Sequence, residues 1–365
     1  MKIGILTFHR VWNAGAFLQA VALYDLLESE GHDVAFLDYI PKSHQPKLLS
    51  NLPIRPKAIL PRIKKNWISK KLAGIYSNQL SDFKVMRPIK GGDDISGSGL
   101  DLVVTSADVW NYGTKWSRDE RVFFGDKIKG PKLMGYSVSL GNTDPDEQKI
   151  PEELKQAFSA YDLVFPRDET TGQFASELGL PVKEMALDAG FFLDSEKYKG
   201  VKSIEGRYIA IYALPNTLGE NMIAEIKDYA LKNNLKIIAP AYVQAWADIS
   251  LSIISPLEWF SVIYYADCVV TNTFHGTVFS ILLRKRFSTY LGHQIRMKTK
   301  DMITLLEAEK NVYQEDGDLK ANLSGIHISK EKLDRHFDSS KQALIDGVNS
   351  LARDHNENTP HQQAR

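Results

Sequence analysis

Two successive blocks of alternating strand and helix signals constrain this chain's fold more than any other feature. Residues 2–8 form a short apolar run, a buried strand by its length. Residues 9–16 contain Asn13 and Gly15 and read as a loop. Residues 17–30 repeat Leu18, Val21, Ala22 and Leu26 at three- and four-residue spacing before Gly31 stops the helix. Residues 34–38 are the next strand. Two strands joined through a helix pair in parallel, because the crossover returns the chain to the same edge of the sheet. Further strands are expected at 102–105, 132–136 and 163–165, with a helix over 168–178 that ends at Gly179 and Pro181. The second block has strands at 207–213, 235–239, 267–271 and 287–291. Its helices fall at 218–232, 256–266, 276–283 and 298–310.

The expected architecture is therefore α/β: two Rossmann-like domains with mostly parallel sheets, facing each other across a cleft. A chain of 365 residues accommodates this at roughly 150 residues per domain. Residues 188–206 have no clear period and serve as the connection. The expected boundaries are 1–195, 196–330, and 331–365 for a C-terminal helix and polar tail. Ligands of such sheets bind beyond the carboxyl ends of the strands.

Residues 41–81 interrupt the rhythm. They hold nine Lys or Arg and no Asp or Glu, with Pro41, Pro46, Pro53, Pro56 and Pro61 in the first part. Ile63, Trp67, Ile68 and Leu72 suggest a basic helix over 62–76. Such a stretch suits peripheral contact with an anionic membrane surface. The alternative is a solvated helix that lines the cleft or covers the first domain.

Several classes are excluded. Lys plus Arg equals Asp plus Glu at 45 each, so the basic surplus of a nucleic-acid binder is missing. One cysteine, Cys268, allows neither an intrachain disulfide nor a Cys-rich metal site. No dinucleotide, P-loop, zincin or nucleophile-elbow motif occurs. Asp144-Pro145-Asp146 reads as a turn, so no metal and no cofactor is expected. The opening apolar stretch is short for a secretory leader, and no uncharged apolar run reaches about 18 residues. The expected location is the cytoplasm.

Four segments could carry chemistry, each at a strand-to-helix junction. In DCVVTNTFHGTVFS, residues 267–280, His275 falls at a helix N-terminus, where free N–H groups and the dipole favour an anion. It could equally cap the helix or pack in the loop. In FPRDE, residues 165–169, Arg167 could fork onto a carboxylate or phosphate, or pair with Asp168 or Glu169. HRVWNAGAFLQ, residues 9–19, offers backbone donors to a ligand or forms a tight turn before a packed helix. DLVVTSADVWN, residues 101–111, brings Ser106, Asp108 and Trp110 together; Trp110 could stack on a sugar or anchor the core.

Taken together, these segments resemble the polysaccharide pyruvyl transferase family across roughly residues 1–290. The opening is similar to the family's N-x-G-A-x-L-Q pattern and DLVVTSADVWN to its G-S-D-Q-V-W-N. MGYSVSLG, FPRDETTGQFASELG and ALDAGFFL are similar to its Y-A-x-S-x-G, R-E and L-D-P-T stretches, and TNTFHGTVFS to its S-F-H-G-T-x-F-S signature. The resemblance implies a GT-B-like fold and transfer of the pyruvyl group of phosphoenolpyruvate to a sugar as a pyruvate ketal. The acceptor would belong to a cell-surface polysaccharide or its lipid-linked precursor. It implies that His275 and Arg167 contact phosphoenolpyruvate and that Phe274 lines the same pocket, with Gly276 and Thr277 beside it. The reaction's need for an acid and a base adds catalytic roles, His275 as the proton donor and Asp108 as a weaker candidate for the base toward the acceptor hydroxyl. Asn13, Gly15, Gln19, Ser106 and Trp110 go to the acceptor. Thr273 stands where some members carry Arg, and Ala107 where the family's Asp is usual. Two other readings stay open: a GT-B glycosyltransferase using a nucleotide sugar, and a non-catalytic glycan-binding relative.

Overall fold

A computed structural model describes residues 1–39, 59–113, 120–314 and 318–358. Two five-stranded parallel sheets form the frame among these residues. The first has strands β1 (Lys2–Leu6), β2 (Asp33–Phe36), β3 (Leu102–Ala107), β4 (Lys132–Val138) and β5 (Leu163–Pro166), in the order β2-β1-β3-β4-β5. The second has β6 (Tyr208–Tyr212), β7 (Lys236–Pro240), β8 (Ile249–Leu251), β9 (Cys268–Thr271) and β10 (Arg286–Thr289), in the order β10-β9-β6-β7-β8. Both orders reverse direction beside the first strand of the sheet, which opens a crevice at the strands' carboxyl ends.

The longer helices are α1 (Ala14–Ser29), α2 (Ile59–Leu80), α3 (Glu152–Phe158), α4 (Glu169–Glu177), α5 (Glu220–Lys232), α6 (Pro256–Tyr265), α7 (Phe274–Leu282), α8 (His293–Leu305) and α9 (Lys330–Asn358). The basic helix read from the sequence is α2; residues 41–58 of that stretch lie outside the described residues. Strand β8 and helix α3 carried too short a pattern to be read. The helix of the second block begins at Phe274 rather than Gly276, so His275 sits inside its first turn. Helix α9 continues through 353–358, where a polar tail was expected; 359–365 lie outside the described residues.

Helix α1 explains how the domains meet. Its spacing suggests one apolar face, yet thirteen of its sixteen residues are buried. It packs on the first sheet and also against α6, α7 and the 3-10 turn Ala189–Phe192. A helix buried all round has protein on every side. The main core accordingly runs from Ile3 and Phe17 through Phe191 to Trp259 and Phe279, across both sheets. Helix α9 returns to the first domain: Tyr136 Oη donates to Ser340 O at 3.0 Å, and Gly347 faces Phe165 and Leu163.

Candidate functional site

The carboxyl ends of both sheets border a cavity of about 270 Å³ between the domains. Its walls come from the loops after β1, β3 and β5 on one side, and from α7, α8 and the ends of β6 and β7 on the other.

Strand β9 ends at Thr271, and Thr273 caps α7 by accepting a hydrogen bond from the Gly276 amide at 3.0 Å. Gly276 fits because a Cβ there would lie 2.1 Å from Thr271 Oγ1. Phe274 and His275 therefore occupy the first turn and line the cavity. Gly15 of α1 backs His275 closely: a Cβ on Gly15 would lie 2.2 Å from the His275 Cβ.

Arg167 follows β5 and is buried; its Cζ lies 4.0 Å from the centre of the Phe274 ring. Its Nη1 donates to Asp188 Oδ2 at 3.0 Å, while Nε and Nη2 have no protein partner among the described residues. Asp188 is the N-cap of the turn Ala189–Phe192, and its Oδ1 accepts from the Gly190 amide at 2.9 Å. The same Oδ1 stands 3.9 Å from His275 Nε2, which has no hydrogen-bond partner among the described residues. Burial lowers the His275 pKa to about 4, with Asp188 opposing and Arg167 adding to the shift. The imidazole is thus neutral at pH 7 in the ligand-free site.

Asp108 sits just after Ala107, whose φ of 72° carries the chain out of β3 through a break in register between Thr105 and Ala107. Lys298 of α8 reaches it from the other domain, with Nζ 3.0 Å from Asp108 Oδ2. Burial alone would raise the Asp108 pKa, but Lys298 and Arg167 outweigh it and hold the carboxyl well below its usual range. Arg167, Lys298, Asp108 and a neutral imidazole thus line one small space, with the buried Asp188 carboxylate behind Arg167 and His275. Unused N–H donors on a buried guanidinium suit an anionic ligand, because each such donor is costly to leave without a partner.

Of the residues singled out in the sequence, His275, Arg167, Asp108, Phe274 and Asn13 come together on the cavity. Asn13 also caps α1, accepting from the Ala16 amide. Six others require correction. Trp110 is fully buried; its Nε1 donates to Tyr161 Oη at 2.9 Å and its ring meets Phe158 edge-on, so it anchors the core and offers no face to a sugar. Gln19 and Ser106 are buried and bonded to each other at 2.7 Å, which ties α1 to β3. Thr277 is buried, donating to Thr273 O and paired with Thr289 Oγ1. Gly15 and Gly276 act as close-approach positions rather than as cavity walls.

Sequence reasoning did not single out Asp188, Lys298, Tyr212, Tyr242 or Asn142, while Asn111, at the exit of the 101–111 strand, does line the cavity. Asp188 lay inside ALDAGFFL, a stretch already noticed, but was read as the start of the linker. Lys298 appeared only as the start of a helix, with no local signal. Asp144 Oδ1 accepts from the Asp146 amide at 3.0 Å, the turn expected there.

The sequence profile of the family described as polysaccharide pyruvyl transferase matches residues 13–290. No curated protein matches the chain. Among solved structures, an assigned UDP-N-acetylglucosamine 2-epimerase of Listeria monocytogenes superposes with a TM-score of 0.52 at 12% identity, covering 100% of this chain and 98% of that one. The UDP-GlcNAc 2-epimerase of Neisseria meningitidis, bound to UDP-GlcNAc, gives 0.49 at 12% identity over 94% and 93%. The E. coli heptosyltransferase WaaC gives 0.39 at 14% over 85% and 99%. At such identities the first of these speaks for the fold alone, which is the two-domain GT-B arrangement.

Proposed function

The chain belongs to the polysaccharide pyruvyl transferase family, and from that premise we propose that it moves the pyruvyl group of phosphoenolpyruvate onto two hydroxyls of a sugar, forming a pyruvate ketal. The acceptor is a sugar of a cell-surface polysaccharide or its lipid-linked precursor. The observation that carries this reading is the buried Arg167 guanidinium, with Nε and Nη2 unused, beside His275 and across from Lys298. Phosphoenolpyruvate brings a carboxylate and a phosphate on a three-carbon frame. A planar fork, an ammonium and the first turn of α7 match those groups.

The chemistry follows from the charges. His275 is neutral in the free site because burial costs the charged form. A bound anion reverses that balance, so binding is accompanied by protonation of the imidazole. Imidazolium is then the acid that delivers a proton to carbon 3. This makes carbon 2 electrophilic, and the first sugar hydroxyl forms its C–O bond there. The bond from carbon 2 to the phosphate oxygen breaks, and the second hydroxyl closes the ketal. One hydroxyl proton returns to the imidazole and the other departs on phosphate, so the protons balance. Arg167 and Lys298 stabilise the charge that grows on the leaving phosphate. Asp108, expected from the sequence to be the base, is too weak a base when held by Lys298; its part is to orient that lysine.

For the acceptor, Tyr242 and Tyr212 stack at 5.2 Å and both line the cavity, with Asn111 and Asn142 opposite. Aromatic faces and amide groups are the chemistry that Trp110 and Ser106 were expected to provide.

Calorimetric titration of wild type and His275→Ala with phosphoenolpyruvate, UDP-sugars and CMP-sugars tests the reading. Saturable phosphoenolpyruvate binding, lost or strongly weakened in the variant, is expected. Binding of a nucleotide sugar with no response to phosphoenolpyruvate would replace the proposal with glycosyl transfer. Response to neither, with glycan binding retained, would mark a non-catalytic relative.

A further inference from the structure

Helix α2 carries a feature that the cleft does not use. From Trp67 onward its faces are distinct. Tyr76 and Leu80 are buried, and Leu72 and Ile75 pack against the main core. Trp67, Lys70, Lys71 and Gly74 are exposed, at the i, i+3, i+4, i+7 spacing of one helical stripe. Trp67 leaves 56% of its surface in water, the one exposed tryptophan among the described residues. Lys71 Nζ lies 5.1 Å from the centre of its ring. An indole flanked by lysines matches the depth profile of a lipid headgroup layer, where tryptophan is enriched.

Charge segregation strengthens the point. The chain is neutral overall, yet no Asp or Glu occurs in residues 41–81. The rest of the molecule therefore carries the compensating negative charge. An anionic plane attracts this helix and repels much of the remaining surface, which selects one orientation as well as one contact.

From these observations we infer that the outer stripe of α2, centred on Trp67, Lys70 and Lys71, docks the protein on an anionic lipid surface. Tyr76, farther along the same helix, is buried against Phe17 at a ring distance of 5.9 Å. The inference is independent of the transfer reaction, because docking is read without substrate.

Co-sedimentation of the full chain with phosphatidylcholine vesicles, with and without phosphatidylglycerol, tests it. Pelleting is expected only with the anionic lipid, falling as salt is raised. The variant Lys70→Glu/Lys71→Glu should weaken that partition at least about tenfold. In a second readout, the blue shift of tryptophan emission on vesicle addition should be present in wild type and absent in Trp67→Phe. Equal pelleting of wild type and the lysine variant, equal pelleting with neutral vesicles, or an unaltered blue shift in Trp67→Phe would each overturn the inference. Capture of RNA in place of vesicles would do the same. Phosphate release with a water-soluble acceptor should be unchanged in these variants, so failure of docking and failure of the transfer reading are separable.

Discussion

The Asp188 carboxylate joins Arg167 and His275: Oδ2 accepts from Arg167 Nη1 at 3.0 Å, and Oδ1 lies 3.9 Å from His275 Nε2. Neither side chain of the Arg167–Asp188 pair is more than marginally exposed, at 2% and 0%. Asp188 holds one guanidinium nitrogen and leaves Nε and Nη2 without a protein partner among the described residues, and its charge is the largest that favours a protonated imidazole.

Asp188→Asn should therefore affect both stability and chemistry. Removing one partner of a buried ion pair costs about 3 kcal/mol or more, measurable as a drop in urea midpoint at unchanged slope. Transfer should fall by at least about a hundredfold, and the alkaline limb of its pH profile, set by the imidazolium, should move to lower pH. A variant with unaltered profile and turnover would remove Asp188 from the mechanism.

Gly15→Ala tests the contact between α1 and α7. The added methyl would meet the His275 Cβ at 2.2 Å, an atom next to the backbone that cannot swing away. A cost of about 1–3 kcal/mol is expected, together with at least about a tenfold loss of phosphoenolpyruvate affinity as His275 is displaced. Calorimetry and thermal unfolding on the same preparation separate the two effects.

Acid should destabilise the fold through two histidines. Burial lowers the pKa of His275, and that of His9, each to about 4, from 6.5. His9 stacks on Phe36 with its Nδ1 3.1 Å from Thr7 O. With the folded pKa below the unfolded one, the unfolded chain binds more protons between pH 6.5 and 4. The stability is complete above 6.5 and declines as pH falls, by about 3 kcal/mol per histidine. Urea titrations at pH 7.5, 5.5 and 4.5 should show the decline, with a shallower slope in His9→Asn. For His275, phosphoenolpyruvate binding should draw a proton from solution at pH 7. Titrations in two buffers of different ionisation enthalpy count it, and zero uptake would argue against imidazolium as the acid.

Trp110 and Tyr242 should separate in function. Trp110→Phe loses the bond to Tyr161 and part of the contact with Phe158, costing roughly 1–3 kcal/mol of stability with acceptor KM unchanged. Tyr242→Ala should leave phosphoenolpyruvate affinity intact and raise acceptor KM by about 5- to 100-fold. The reverse pattern would restore Trp110 to the acceptor site.

Much of the fold was legible because strand and helix signals are local. Apolar runs of strand length, a Gly stop or a Ser-Pro start each report on a few neighbouring residues, and nine of the ten strands could be read that way. Strand β8 could not: residues 249–251 are only partly buried and carry too few positions for a period. The same locality explains His275, since a strand running into a capped helix places the intervening residues at a dipole's positive end whatever the rest of the chain does.

Packing between the sheets decided the remainder. Lys298 meets Asp108 across 190 positions of sequence, and no periodicity in either segment encodes that meeting. Trp110, Gln19 and Ser106 have the composition of a sugar site, but the first domain folds around them: the Trp110 indole N–H bonds to Tyr161, and Gln19 Nε2 bonds to Ser106 Oγ. Asp188 looked like linker because its neighbours lack a period; only closure of the two sheets brings it between Arg167 and His275. The sequence by itself determined two parallel α/β sheets, a histidine at a helix start and an arginine at a strand end. Tertiary structure decided which charges face the cleft, because burial and pairing are properties of the assembled surfaces, not of any short stretch of chain.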